Sequence, residues 1–162
     1  MLSSADDCEP CPKGHSCSTG SVKPIACTAG TFASGLRTAT CIGCDAGKFQ
    51  DEQGQSACKD CSTGHYCARG AAAPLPCPAG TSTNATLLAR NVSMTSEADC
   101  IVCGVGTFCP VGSQAESLCA PGTYNHLEKR KRCFSCEAGK YQDGEGKTAC
   151  KACLAGRKDA CR

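Results

Sequence analysis

Apolar and polar positions along this chain follow no period long enough to make a helix or an extended strand. No 3.6-residue spacing of apolar side chains survives for more than a few residues. What recurs instead is a short motif, Cys-x-x-Gly-x-aromatic. It runs Cys27-Thr-Ala-Gly30-Thr-Phe32, Cys44-Asp-Ala-Gly47-Lys-Phe49, Cys61-Ser-Thr-Gly64-His-Tyr66, Cys103-Gly-Val-Gly106-Thr-Phe108, Cys119-Ala-Pro-Gly122-Thr-Tyr124 and Cys136-Glu-Ala-Gly139-Lys-Tyr141. Three more copies keep Cys and Gly without the ring: Cys11 with Gly14, Cys77 with Gly80, and Cys153 with Gly156. Of the four Phe and three Tyr in the chain, only Phe134 stands outside the motif.

This pattern predicts hairpins rather than layers. The motif glycine permits a tight bend after its cysteine, and the aromatic two residues on can lie against a disulfide as a very small apolar cluster. Asp51-Glu-Gln-Gly54 and Asp143-Gly-Glu-Gly146 are turn signals in which Gly supplies a positive φ. The expected fold class is small and disulfide-rich: an elongated tandem array of short irregular hairpin units with little regular secondary structure, each touching mainly its neighbours.

Composition says why such units need staples. Nineteen of 162 residues are Cys, there is no Trp, and mean hydropathy is −0.23. A chain this poor in large apolar side chains cannot build one core that offsets its conformational entropy, whereas Cys above roughly 8–10% marks a disulfide scaffold. Net charge is +2, which gives no ground for a nucleic-acid partner. The charge-free stretch from Ala71 to Ala89 carries three prolines and several threonines. It is no membrane span, and no leader segment is visible at the N-terminus.

Nine cysteines open units: Cys11, Cys27, Cys44, Cys61, Cys77, Cys103, Cys119, Cys136 and Cys153. We number repeats 1 to 9 by these openers. Nine others can close them in order: Cys17, Cys41, Cys58, Cys67, Cys100, Cys109, Cys133, Cys150 and Cys161. Order, spacing and parity favour pairing each opener with the next closer, one arrangement among very many for eighteen cysteines. Cys8 is left over. It precedes Cys11 as Cys41 precedes Cys44, so its expected partner lies upstream of Met1 and the chain is expected to be a stretch of a longer secreted or membrane-anchored protein. Long units hold thirteen residues between opener and closer, short units five, and repeat 5 carries an insertion. The units group as 8–61, 61–103 and 103–161, with pairing least secure in 77–100 and 153–161.

The stretches Cys44 to Cys61 and Cys136 to Cys153 share the string Cys-[Asp/Glu]-Ala-Gly-Lys-[Phe/Tyr]-Gln-Asp-x-x-Gly-x-x-Ala-Cys-Lys-x-Cys. This string resembles the ephrin-receptor-like cysteine-rich repeat, and it is similar to half-modules of tumour-necrosis-factor-receptor cysteine-rich domains. The mixed short and long units resemble EGF-like tandem repeats in surface proteins of protists and algae. The resemblance implies an extracellular or cell-surface spacer or adhesion region with opener–closer disulfides in the long units. It carries over no particular ligand.

Candidate chemistry is sparse. Cys-x-x-Cys pairs such as Cys41/Cys44 with Cys58/Cys61, and Cys133/Cys136 with Cys150/Cys153, come near zinc-ribbon spacing. A zinc-binding surface or cytosolic protein is therefore the alternative reading, but in tandem each pair is simply the junction of adjacent units. His15 and His65 occupy equivalent positions that Thr107 fills in the third short unit, so no shared metal or catalytic role is expected of them; His126 lies in a charged loop. No catalytic set, cofactor or metal site is expected. Asn84-Ala-Thr86 and Asn91-Val-Ser93 are glycosylation sequons in the one expanded loop. Lys129-Arg130-Lys131-Arg132 sums enough charge to attract a sulfated glycan or an anionic surface; its plainer reading is a solvated loop tip. The partner expected is an extracellular protein or glycan.

Overall fold

A computed structural model describes residues 9–154. Eight two-stranded sheets are formed among the described residues, each from strands only two residues long. The first strand follows the motif glycine and the second precedes the next opener. In repeat 2, Thr31–Phe32 pairs antiparallel with Ile42–Gly43, so that Phe32 faces Ile42. In repeat 7, Thr123–Tyr124 pairs with Phe134–Ser135 and Tyr124 faces Phe134. A two-residue ladder is too short to stand alone in water, and the rest of each repeat explains why these persist.

The bend comes first. In repeat 2 the Thr31 N–H donates to the Thr28 carbonyl, and in repeat 7 the Thr123 N–H donates to the Ala120 carbonyl. These are one-to-four turns with the motif glycine third, and that glycine has φ between 76° and 86° in repeats 1 to 8. A positive φ at the third position is the requirement of a type II turn, and it selects Gly. The glycine carbonyl then accepts the N–H of the next opener, from Cys27 onto Gly14 through to Cys153 onto Gly139, at 2.9–3.0 Å in those two and Cys61 onto Gly47.

Disulfides close the hairpins. Bonds join Cys11–Cys17, Cys27–Cys41, Cys44–Cys58, Cys61–Cys67, Cys77–Cys100, Cys103–Cys109, Cys119–Cys133 and Cys136–Cys150. Cys153 is also disulfide-bonded; Cys8 and Cys161 lie outside the described residues. Among the described residues, the buried apolar ones are eight cysteines joined only by Ala33 and Met94. Sulfur is the core.

Successive repeats are joined by backbone from repeat 1 to 4, and again from repeat 5 to 8. Three hydrogen bonds recur at the junctions. The Gly106 N–H donates to the Asn125 carbonyl at 2.7 Å, the Lys129 N–H donates to the Cys103 carbonyl at 2.9 Å, and the Cys109 N–H donates to the Arg130 carbonyl at 2.8 Å. The corresponding trio between repeats 2 and 3 is Gly30 to Gln50, Gly54 to Cys27, and Ala33 to Gln55. In repeats 2 to 8 the residues three beyond the motif glycine are thereby drawn inside: Ala33, Gln50, Cys67, Thr83, Cys109, Asn125 and Gln142 are all buried, whereas Cys17 of repeat 1 is half-buried. Each loop also has one left-handed corner, Gly54 in repeat 3 and Lys129 (φ 58°) in repeat 7.

Contact extends beyond the nearest neighbour, which the tandem spacing alone did not lead one to expect. The α-carbon of Gly30 lies against the Gly70 carbonyl two repeats on, and that of Gly106 against the Gly146 carbonyl. A side chain there would occupy the same space as that oxygen, so this glycine is fixed twice, by φ and by close approach.

The insertion of repeat 5 forms the short helix Ala85–Ala89, capped by Asn84, whose Oδ1 accepts from the Thr86 and Leu87 N–H groups. The chain divides into two compact units. Of the described residues, one comprises 9–62, 66–75 and 92–95; the other comprises 63–65, 76–91 and 96–154.

Candidate functional site

With the junctions held by backbone atoms, side chains at the loop tips are free to differ, and they do. In repeat 3 the buried Gln50 amide ties its own loop: Nε2 donates to the Ala57 carbonyl at 2.7 Å, and Oε1 accepts from the Glu52 N–H at 3.0 Å. Gln142 does the same in repeat 8 with Ala149 and Gly144. Both loops carry a carboxylate paired with a lysine across the hairpin, Asp51 with Lys59 and Asp143 with Lys151, each at 2.7 Å. The lysine hydrogen bond is the main reason that both aspartates are held below the ordinary carboxylate range. These pairs are open to water, where an ion pair contributes little and salt screens it.

Repeat 7 has the opposite sign. Its buried amide, Asn125, donates to the Thr107 carbonyl of the preceding repeat at 2.6 Å and accepts the Leu127 N–H. Beyond it stand Lys129, Arg130, Lys131 and Arg132, none of them in an ion pair within 4.0 Å among the described residues. The Arg130 guanidinium lies 4.6 Å over the Phe134 ring. Phe134 in turn clusters with Tyr124 and His126, at centroid separations of 5.7 and 5.4 Å. Phe134, the aromatic outside the motif, thus serves as the platform for an arginine.

Other residues singled out from sequence have local backbone roles. His15 and His65 each place Nδ1 at 3.1 Å from the carbonyl of the residue two before, Lys13 and Thr63. Thr107, at the same motif position, donates its hydroxyl to the Gly104 carbonyl. This position after the glycine supports the turn. Asn84 serves as the helix cap, and Asn91 sits exposed at a left-handed corner with φ 54°. Asn tolerates that region better than most residues, so both sequon asparagines also have a backbone reason to be where they are. The four sulfurs of each zinc-like set are divided among separate bridges: Cys41 is joined to Cys27, Cys44 to Cys58, and Cys61 to Cys67. A sulfur so joined presents no thiolate for a metal. Among the described residues no group of three or more His, Cys, Asp or Glu could hold a metal ion, and no helix is long and apolar enough to cross a membrane.

Sequence reasoning missed the buried position three beyond the motif glycine. Its signal was present: in repeats 1 to 8 the residues there are Cys, small ones, or side-chain amides, and none is charged or aromatic.

Stapled hairpins with a sulfur core, joined backbone to backbone, define a small disulfide-rich repeat protein. A family model described as tyrosine-protein kinase ephrin type A/B receptor-like matches residues 30–73 and 122–160, half of the chain, and the chain belongs to that family. Both matches begin at a motif glycine, in repeats 2 and 7, and each runs through two long units into the next repeat. No curated protein matches the chain. The family is a non-catalytic ectodomain type, and with the disulfides it points to an extracellular repeat.

Proposed function

We propose that the chain is a non-catalytic extracellular repeat region that works as a structural spacer and presents its loop tips as an adhesion or ligand-binding surface. The observation that carries this reading is the division of labour within each long repeat. Disulfide and junction rest on sulfur and backbone, with the buried Asn125 amide added in repeat 7, so the exposed side chains of the thirteen-residue loops vary in charge without disturbing their mounting. The partner is an extracellular protein or glycan. Family membership supports the location, since disulfides persist in oxidising compartments. The nearest-closer disulfide pairs, and glycans at Asn84 and Asn91, are part of the proposal.

The test is peptide mapping of secreted protein, digested without reduction, together with a thiol titration in denaturant. Peptides linked opener to next closer and few free thiols support the reading. Many free thiols with bound zinc overturn it in favour of a reduced zinc-binding protein. A mass shift on deglycosylation confined to the 77–100 peptides is the expected sign of glycans; its absence removes that part alone.

A further inference from the structure

We propose that the basic corner of repeat 7, Lys129 to Arg132, is a docking site for a sulfated glycan. Four successive cations in one loop, unpaired among the described residues, form the densest single-sign charge in the chain. The equivalent positions in repeats 3 and 8 read Gly54-Gln-Ser-Ala57 and Gly146-Lys-Thr-Ala149, and the carboxylate–lysine pairs of those loops stand where repeat 7 has His126 and Phe134. Charge at this position is therefore set by each loop and not by the fold.

The corner is tied down at Lys129 and Arg130, which separates it from an ordinary solvated run of lysines. Its backbone is tied to repeat 6 through the Lys129 N–H and the Arg130 carbonyl. The Lys129 carbonyl and Cγ press against the α-carbon of Gly80, where no larger residue would fit. Arg130 is seated on Phe134. Ala79 and the four cations line a shallow groove of about 270 Å³. Lys129 also holds a left-handed φ where Gly54 and Gly146 stand in other repeats, a conformation that costs a side chain about 1–2 kcal/mol. A loop whose backbone is pinned and whose Arg130 is already seated loses less freedom on meeting a polyanion than a loose one.

Sulfate groups repeated along a flexible chain match such a row. Anionic lipid is the competing occupant, but anionic lipids belong to the cytoplasmic leaflet. The choice of glycan over lipid thus rests on the extracellular reading, while binding itself is measured on purified protein and stands apart from it.

The experiment uses the whole oxidised chain and three probes: heparin oligosaccharide, the same oligosaccharide desulfated, and phosphatidylserine-containing vesicles. Binding to the sulfated probe alone, falling steeply with salt, is expected. Lys131→Glu with Arg132→Glu should weaken it about ten-fold or more, whereas Lys13→Glu with Lys23→Glu, an equal change in net charge, should weaken it less than about two-fold. Equal losses in the two variants, equal binding of the desulfated probe, or capture by vesicles in place of glycan would each overturn the proposal. Disulfide mapping of each variant shows that it is folded. Free thiols in the parent protein would instead count against the extracellular reading while leaving glycan binding measurable.

Discussion

Repeats 3 and 7 are built on one frame and finished in opposite ways. Both span fourteen positions from opener to closer, both bend at a glycine with φ above 80°, and both join the preceding repeat through the same backbone bonds. Yet repeat 3 closes its loop on itself with Gln50 and balances Asp51 against Lys59. Repeat 7 spends its amide on the neighbour and leaves four cations exposed to solvent or half-buried. The difference teaches that backbone and sulfur decide the architecture, and that loop side chains are available for recognition. Substitutions that act on one repeat and spare the other measure how complete that separation is.

The largest effect is expected at the motif glycines. Gly47 and Gly122 share a positive φ, but a methyl on Gly47 would come within 2.8 Å of the Ser93 Cβ, and one on Gly122 would meet nothing within 4 Å. Gly122→Ala therefore isolates the backbone cost, about 1–2 kcal/mol. Gly47→Ala adds overpacking, a further cost of roughly 1–3 kcal/mol. Thermal or denaturant melts read both. Equal losses would mean that close approach contributes nothing and the bend alone selects glycine.

Next come the buried amides. Gln50→Ala leaves the Ala57 carbonyl and Glu52 N–H without their partner, a cost of about 1–3 kcal/mol. Hydrogen exchange should quicken within the repeat 3 loop itself. Asn125→Ala costs a similar amount, but the faster exchange should spread to the junction with repeat 6, because Asn125 bonds to Thr107. If both loosen only their own loops, the contrast between the repeats fails.

The fold class was legible in the chain because its cause is local. Cys-x-x-Gly fixes a turn of four residues, and the lack of any long apolar period leaves nothing else to build. The junction was not legible. It depends on a carbonyl from one repeat meeting an N–H from the next, and backbone atoms leave no mark in side-chain patterns. The glycine-to-carbonyl contact across two repeats was hidden likewise, since Gly106 reads as a turn residue whether or not Gly146 lies against it. The four cations were visible, but the tying down of Lys129 and Arg130 was not. Only the structure shows Lys129 held by Cys103 and Arg130 seated on Phe134.

Making repeat 7 resemble repeat 3 at its corner tests whether the cations cost stability. Lys129→Gly removes a side chain from the left-handed region and should stabilise the chain by about 1 kcal/mol or less. It should weaken binding to the sulfated probe at the same time. A melt that moves down would show that the pressed Lys129 stem contributes more packing than its backbone loses.

The smallest effect separates the two loops by pH. Hydrogen bonding from Lys59, helped by the Asp51 backbone, holds the Asp51 carboxyl below its ordinary value. A depressed carboxylate stabilises the folded loop above the unfolded pKa, about 4, and that contribution is lost as pH falls through the lower folded value. Hydrogen exchange at residues 51–57 should therefore quicken on acidification, after allowance for the intrinsic rate. The change should vanish in Asp51→Asn and shrink in high salt, because the pair is open to solvent. In loop 126–132 the carboxylate, Glu128, makes no ion pair within 4.0 Å among the described residues, and protection there should stay level over the same range. A matching acid response there would mean that the Asp51–Lys59 pair is not what distinguishes how the two loops open.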